Sequence, residues 1–252
     1  MDIIKLIQSN KEFSFPLFEQ DKRNLVVVLG SLGDFDSFEY IQNLNRYYEK
    51  LKVNNIKLTI FAIGTEESKS CFARYVEIPE NLINMVSDNS LHKKLGINDG
   101  MNFPVSAAAN LLIMCAGINS PGTLKEVFRG YLGDKDSIKI FNNDDNNSLF
   151  LSKKSKFNTI LFDKFNSENC LRPFELATLR LFNMLEIFAN WKSYFPNQKY
   201  MSQRCATFLY DYENKLTHSY FSNSLLNYSE NMSYPLRFIE ENLHIKIYDD
   251  KK

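Results

Sequence analysis

Residues 25–40 read LVVVLGSLGDFDSFEY. Leu25 to Leu29 are five aliphatic residues with no polar alternation, the pattern of a strand buried on both faces of a sheet. Gly30 ends the run. From Phe38 onward the apolar residues Ile41, Leu44, Tyr48 and Leu51 recur every three to four positions, and Asp36 with Glu39 three residues later has the form of a capping box. The stretch predicts a strand, a tight turn and a helix. The next apolar run, IKLTIFAIG at 56–64, is rich in β-branched and aromatic residues and closed by glycine, so it predicts a second buried strand. A right-handed crossover between the two gives a βαβ unit.

Outward from this unit, Glu66 to Glu77 forms an amphipathic helix with Cys71, Phe72, Tyr75 and Val76 inward, and Pro79 lies just beyond its end. Asp88 caps a short helix through Leu91 and Leu95 to Gly96, on which His92 stands beside Lys93 and Lys94 and is expected in solvent. Val105 to Ile118 is apolar nearly all round and predicts a buried helix. Ser120 before Pro121 starts a helix toward Tyr131, with Gly133 as its stop. The polar run NNDDNNS at 142–148 predicts a solvated loop. Arg172 and Pro173 then mark the start of a long helix ended by Pro196. Along it Phe174, Ala177, Leu181, Met184, Leu185, Phe188 and Trp191 form one apolar stripe, to be read as core or interface rather than a cofactor box. ATFLYDYENKLTHSYFS, 206–222, predicts a hairpin about Glu213 and Asn214.

Composition narrows the function. At 252 residues the chain is one large domain or a domain with an insertion, and 44% hydrophobic residues with 21 Phe exclude disorder. Thirty basic residues balance thirty acidic ones, so no global positive field exists to hold nucleic acid. Cys71, Cys115, Cys170 and Cys205 make no CxxC, and His92, His218 and His244 make no HxxxH or HExxH, so no metal site is expected. The 30–40 turn has neither GxGxxG nor a GKS/GKT ending, and Asp34 and Asp36 would repel a phosphate at the helix N-terminus; no nucleotide and no other cofactor is expected. No GxSxG elbow is present. The N-terminal stretch MDIIKLIQSNKEF lacks a signal-peptide core, and Ala107 to Ile118, interrupted by Asn110, is too short to cross a bilayer. The expectation is a cytoplasmic chain without a membrane span.

The segments LVVVLGSLGDFDSFEY, LTIFAIGTEESKSCFARY and INMVSDNSLHKKLGI stand in an order that resembles the peroxiredoxin-like branch of the AhpC/TSA family, within the thioredoxin superfamily. LLIMCAGINSPGTLKEVFRGYLGDKD and RPFELATLRLFNMLEIFANWKSYFP resemble stretches of its cyanobacterial and plastid subset, and RCATFLYDYENKLTHSYF its closing hairpin. The resemblance implies an α/β thioredoxin-like fold: an N-terminal half at 1–104, a mainly helical insertion at 105–200, and a C-terminal hairpin and helix at 201–252. It also implies thiol-redox, antioxidant chemistry with a thiol reductant or a protein as partner. The two cysteines of the family's GCxxC turn fall on Asp34 and Ser37, so that chemistry is expected to be attenuated or lost. Among the remaining thiols, Cys71 and Cys115 read as small core hydrophobes and Cys170, in SENCLRP, as an exposed thiol. By the same resemblance Cys205 lies on the loop that faces the turn, with no proline from Gln203 to Thr207, and Arg204 beside it could lower its pKa; it is the candidate replacement thiol. The alternative is a non-catalytic binding or assembly protein that uses the insertion as its partner surface.

Overall fold

A computed structural model describes residues 21–141, 160–166 and 169–248. The N-terminal stretch MDIIKLIQSNKEF and the loop read at 142–148 lie outside the described residues. β1 (Arg23–Ser31) leads through a tight turn into α1 (Phe35–Arg46), and after α2 (Tyr48–Val53) the chain returns in β2 (Ile56–Ile63), parallel to β1 from Arg23↔Ile56 to Val28↔Phe61. This is the expected βαβ unit. α3 (Glu66–Val76) follows, then β3 (Ile83–Val86) and α4 (Ser90–Leu95). A run of helices separates these from the C-terminal hairpin: α5 (Ala107–Cys115), α6 (Thr123–Leu132), α7 (Ile160–Asp163), α8 (Glu175–Ala189) and α9 (Trp191–Tyr194). β4 (Ala206–Tyr210), β5 (Leu216–Phe221) and α10 (Arg237–Leu243) close the chain.

The five strands form one mixed sheet in the order β3-β2-β1-β4-β5, parallel from β3 to β1 and antiparallel beyond. The arrangement, with its helical segment before the hairpin, is compatible with a thioredoxin-like fold. β1 is central and its aliphatic run is buried on both faces, Leu25, Val27 and Leu29 in one core cluster and Val26 and Val28 in the other. On the first face Phe38 of α1 meets Phe72, Tyr75 and Tyr194 edge-on at ring-centroid distances of 5.0, 5.4 and 5.3 Å. α3 starts at a true capping box, Thr65 Oγ1 accepting from the Ser68 amide at 3.2 Å. The Asp88 carboxylate accepts from the Ser90 amide at 2.8 Å as α4 begins.

Several expectations are corrected. β3 carries no signal in the sequence, because four residues with Asn84 among them show neither alternation nor a continuous apolar run. His92 is fully buried rather than solvated, its Nε2 lying 2.6 Å from the Leu29 carbonyl. α5 is capped by Ser106 and buries only Asn110, Leu111 and Met114, leaving Leu112 70% exposed, so it is not sunk in the core. α6 begins at Thr123, after Gly122, instead of at Pro121. It does stop at Gly133, whose φ of 79° and position 2.6 Å from the Leu171 carbonyl at its would-be Cβ admit no side chain. The long helix turns its predicted stripe outward: Phe174, Leu181, Leu185 and Phe188 are exposed, while Glu175, Leu176, Leu179, Asn183 and Ile187 face the protein. No described helix is long and apolar enough to cross a membrane.

Candidate functional site: the turn after the central strand

β1 reaches its C-terminal end beside the chain that enters β4. A Cβ at Gly30 would sit 2.2 Å from the Gln203 carbonyl oxygen, so only glycine lets the two backbones approach here. Past Ser31 the chain turns, the Asp34 amide donating to the Ser31 carbonyl at 3.0 Å, and α1 begins at Phe35. Asp34 occupies the N-cap position with extended dihedrals but makes no side-chain cap. The capping box expected from Asp36 and Glu39 does not form. Both carboxylates are buried, and a guanidinium brought by a distant segment offers each more than the ~1 kcal/mol of a cap. Asp36 binds Arg204, and Glu39 takes a two-pronged grip from Arg180 at 2.7 and 3.1 Å.

Arg204 is the centre of the site and is fully buried. Its Nη1 donates to Asp36 Oδ2 at 3.0 Å, its Nε to the Ser202 carbonyl at 2.7 Å, and its Nη2 faces Asp34 Oδ2 at 3.5 Å. The other oxygen of Asp36 accepts from the Leu226 amide at 2.5 Å. Neither oxygen of Asp34 has a hydrogen-bond partner, and neither has Arg204 Nη2. Two carboxylates therefore share one cation out of water. Burial raises the pKa of Asp34 against the pull of Arg204, and burial together with the charge of Asp34 raises that of Asp36 well above the ordinary carboxylate range. Both shifts disfavour the doubly ionised form of the pair.

Ser37 is fully buried and donates its hydroxyl to the Ser31 carbonyl at 3.0 Å, which ties it to the turn rather than aiming it at a substrate. Cys205 follows Arg204 at the head of β4 and is 1% exposed. Burial pushes its thiol up, Asp36 adds to the effect, and the opposing influence of Arg204 does not compensate. Cys115 on α5 is half-buried, and burial followed by Asp34 pushes it up to about 11. Arg204, which could lower the Cys205 pKa, does oppose the shift, but burial and Asp36 outweigh it and its charge is shared with Asp36 and Asp34. Cys170 is buried at 4% exposure, with Asn166 Nδ2 3.3 Å from its sulfur, so the exposed thiol expected in SENCLRP is absent. Cys71 packs half-buried against the core.

The structure thus brings together Asp34, Asp36, Ser37, Arg204 and Cys205. Sequence reasoning missed that Arg204 is the counter-ion of the turn, and no local signal marks it, because Arg204 and Asp36 are 168 residues apart. It also missed Arg180 as the partner of Glu39, 141 residues away. Among the described residues no group of three or more His, Cys, Asp or Glu side chains stands together to hold a metal ion. No family model, no curated protein and no solved structure matches the chain.

Proposed function

We propose that the chain is a non-catalytic binding or assembly protein on a thioredoxin-like scaffold, similar in form to the peroxiredoxin-like proteins but without their thiol chemistry. The observation that carries this reading is the occupant of the turn. The positions that by resemblance would hold the redox cysteines hold Asp34, set against Arg204, and Ser37, bonded to Ser31. A hydroxyl forms neither a sulfenic acid nor a mixed disulfide. A replacement thiol would need to be open and largely thiolate at neutral pH. Cys205 meets neither condition, since burial and the Asp36 carboxylate both oppose its ionisation. A binding role needs none of the four cysteines. It needs an accessible apolar surface, and the helical segment supplies one.

The test is hydrogen peroxide consumption with dithiothreitol as reductant. Wild type is expected to match a chain in which Cys71, Cys115, Cys170 and Cys205 are all serine. Turnover tenfold above that control, abolished by Cys205→Ser alone, would establish a displaced active thiol and overturn the reading.

A further inference from the structure

We propose that the outer face of α6 and α8 is a self-association surface on which two copies of this chain pack α8 against α8 about a twofold axis; the idea rests on the binding-protein reading and names its partner. Seventeen large hydrophobic side chains are exposed among the described residues, and fourteen lie between Phe103 and Phe188, leaving Val53, Tyr212 and Leu216 for the rest. Eight of them belong to α6 and the α8 crest, Leu124, Phe128, Tyr131, Leu132, Phe174, Leu181, Leu185 and Phe188; at about half exposure each leaves roughly 100 Å² in water, so the eight leave on the order of 800 Å². That exceeds the ~300–600 Å² of the largest patch on an ordinary monomer and matches the ~800 Å² each partner contributes to a standard interface.

The pattern on α8 says what fits it. Within α8, Ala177, Leu181, Met184 and Phe188 are spaced four, three and four apart, the a/d seam of a helix made to meet another helix, with Phe174 just before it and Trp191 opening α9. Phe174, Leu181 and Phe188 are 45%, 53% and 56% exposed along its crest. The exposed positions of α8 are Leu181, Leu185, Phe188 and Ala189, with no charge among them. The polar residues are on the other side, where Asn183 exchanges two 2.9 Å hydrogen bonds with Gln42 and Arg180 grips Glu39. About two heptads are too short to join chains unaided. α6 widens the seam, lying close enough that a Cβ on Gly130 would be 3.4 Å from the Ala177 amide nitrogen, and showing Leu124, Phe128 and Tyr131 at i, i+4 and i+7.

The head of the seam is also strained. Phe174 has φ of 64°, an outlier for a bulky residue, and its ring projects outward to within 6.1 Å of Tyr131 and 5.6 Å of Phe165, centroid to centroid. Strain kept to hold an aromatic in water is expected where the ring is used. A second copy supplies a matching seam in an isologous contact, and the formal net charge of zero removes long-range repulsion between copies. A negatively charged bilayer would call for a cationic excess, and thirty basic residues against thirty acidic ones give none.

Sedimentation velocity over a concentration series of the full chain tests the proposal. Wild type is expected to be a dimer at micromolar concentration, and Leu181→Glu with Leu185→Glu is expected to weaken association by roughly 100-fold or more. Its circular dichroism should match wild type, because both positions are exposed. Leu181→Cys, placed in the four-serine background, should form an intermolecular disulfide under mild oxidation. A wild type that stays monomeric at tens of micromolar, or a dimer that survives the double substitution with no disulfide from Leu181→Cys, overturns the proposal. So does flotation of monomeric wild type with vesicles of three parts phosphatidylcholine to one part phosphatidylserine. Each of these failures leaves the peroxide result, and with it the non-catalytic reading, unchanged.

Discussion

The sheet and the helical segment differ in how much charge they bury beside their apolar residues. In the sheet, β1 buries every aliphatic residue from Leu25 to Leu29, and no charged side chain is buried between them. In the helical segment Arg172, Glu175, Arg180, Asn183 and Glu126 turn inward beside the buried Phe141, Phe162, Leu171, Leu176 and Leu179, while Leu181, Leu185 and Phe188 look out. Arg172, fully buried, binds Glu175 at 2.8 Å, the Phe141 carbonyl at 2.6 Å, and Asp163. Glu175 also accepts the Ile140 and Phe141 amides at 2.8 and 2.6 Å. One region is held by area removed from water, which is non-directional. The other adds charge-assisted hydrogen bonds to its apolar contacts, which fix its orientation and leave its outer apolar face free.

The most severe way to break that contrast is Arg180→Met, which keeps the volume and removes the cation from Glu39. Burial alone would raise the Glu39 pKa, but Arg180 holds it below the ordinary range, so the charge is buried and dependent on its partner. A loss of about 3–5 kcal/mol in urea unfolding is expected. A loss under ~1 kcal/mol would mean that α8 is held by apolar contact after all.

A second effect isolates a buried titratable group packed on the sheet. Burial lowers the pKa of His92 to about 4 from 6.5, with the Leu29 carbonyl, Asp99 and Asp88 opposing. The folded state therefore holds a neutral imidazole that donates from Nε2. Its contribution is complete above pH 6.5 and is lost as pH falls toward 4, amounting to about 3 kcal/mol. Asp34 and Asp36 act with opposite sign, their folded pKa values being raised, so the test is the difference between wild type and His92→Gln. Identical stability slopes for the two proteins between pH 6.5 and 4 would remove the buried neutral histidine.

The smallest effect sharpens the comparison most. Leu181→Ala should change the unfolding free energy of dilute, dissociated protein by no more than ~0.5 kcal/mol, whereas Leu25→Ala, the same chemical change in β1, should cost about 2–5 kcal/mol. Equal losses in thermal or urea unfolding would show that the α8 crest is covered within a single chain.

The legible parts of the fold are those whose cause is local. An aliphatic run cut by Gly30, a glycine closing β2, and the turn residues before β5 each fix an element within ten residues, and the βαβ unit and hairpin follow. Periodicity found α8 but could not say which side faces home, because it reports where apolar residues lie and not what a helix packs against. The heptad stripe was visible; its exposure was set by Gln42 and Glu39, more than a hundred residues away. His92 failed for the same reason, since Lys93 and Lys94 imply solvent on α4 while the Leu29 carbonyl draws the ring inward. At the turn, the residues Asp34 and Ser37 could be named from sequence. The ion cluster around Arg204 could not, because its members meet only when β4 joins the sheet.

That late meeting sets a schedule for synthesis. Leu25 in β1 pairs with Leu209 in β4, so the strand that centres the sheet waits for a neighbour made roughly 180 residues later. At about 5–20 residues per second the ribosome needs on the order of 10–40 s to deliver it. Throughout that interval LVVVL, paired on one side by β2, presents its other edge unpaired, an invitation to join any other nascent strand. High contact order of this kind slows folding as well. The nascent chain should therefore depend on a holding chaperone until residue 210 has cleared the exit tunnel, a vulnerability that belongs to the order of the strands rather than to any one of them.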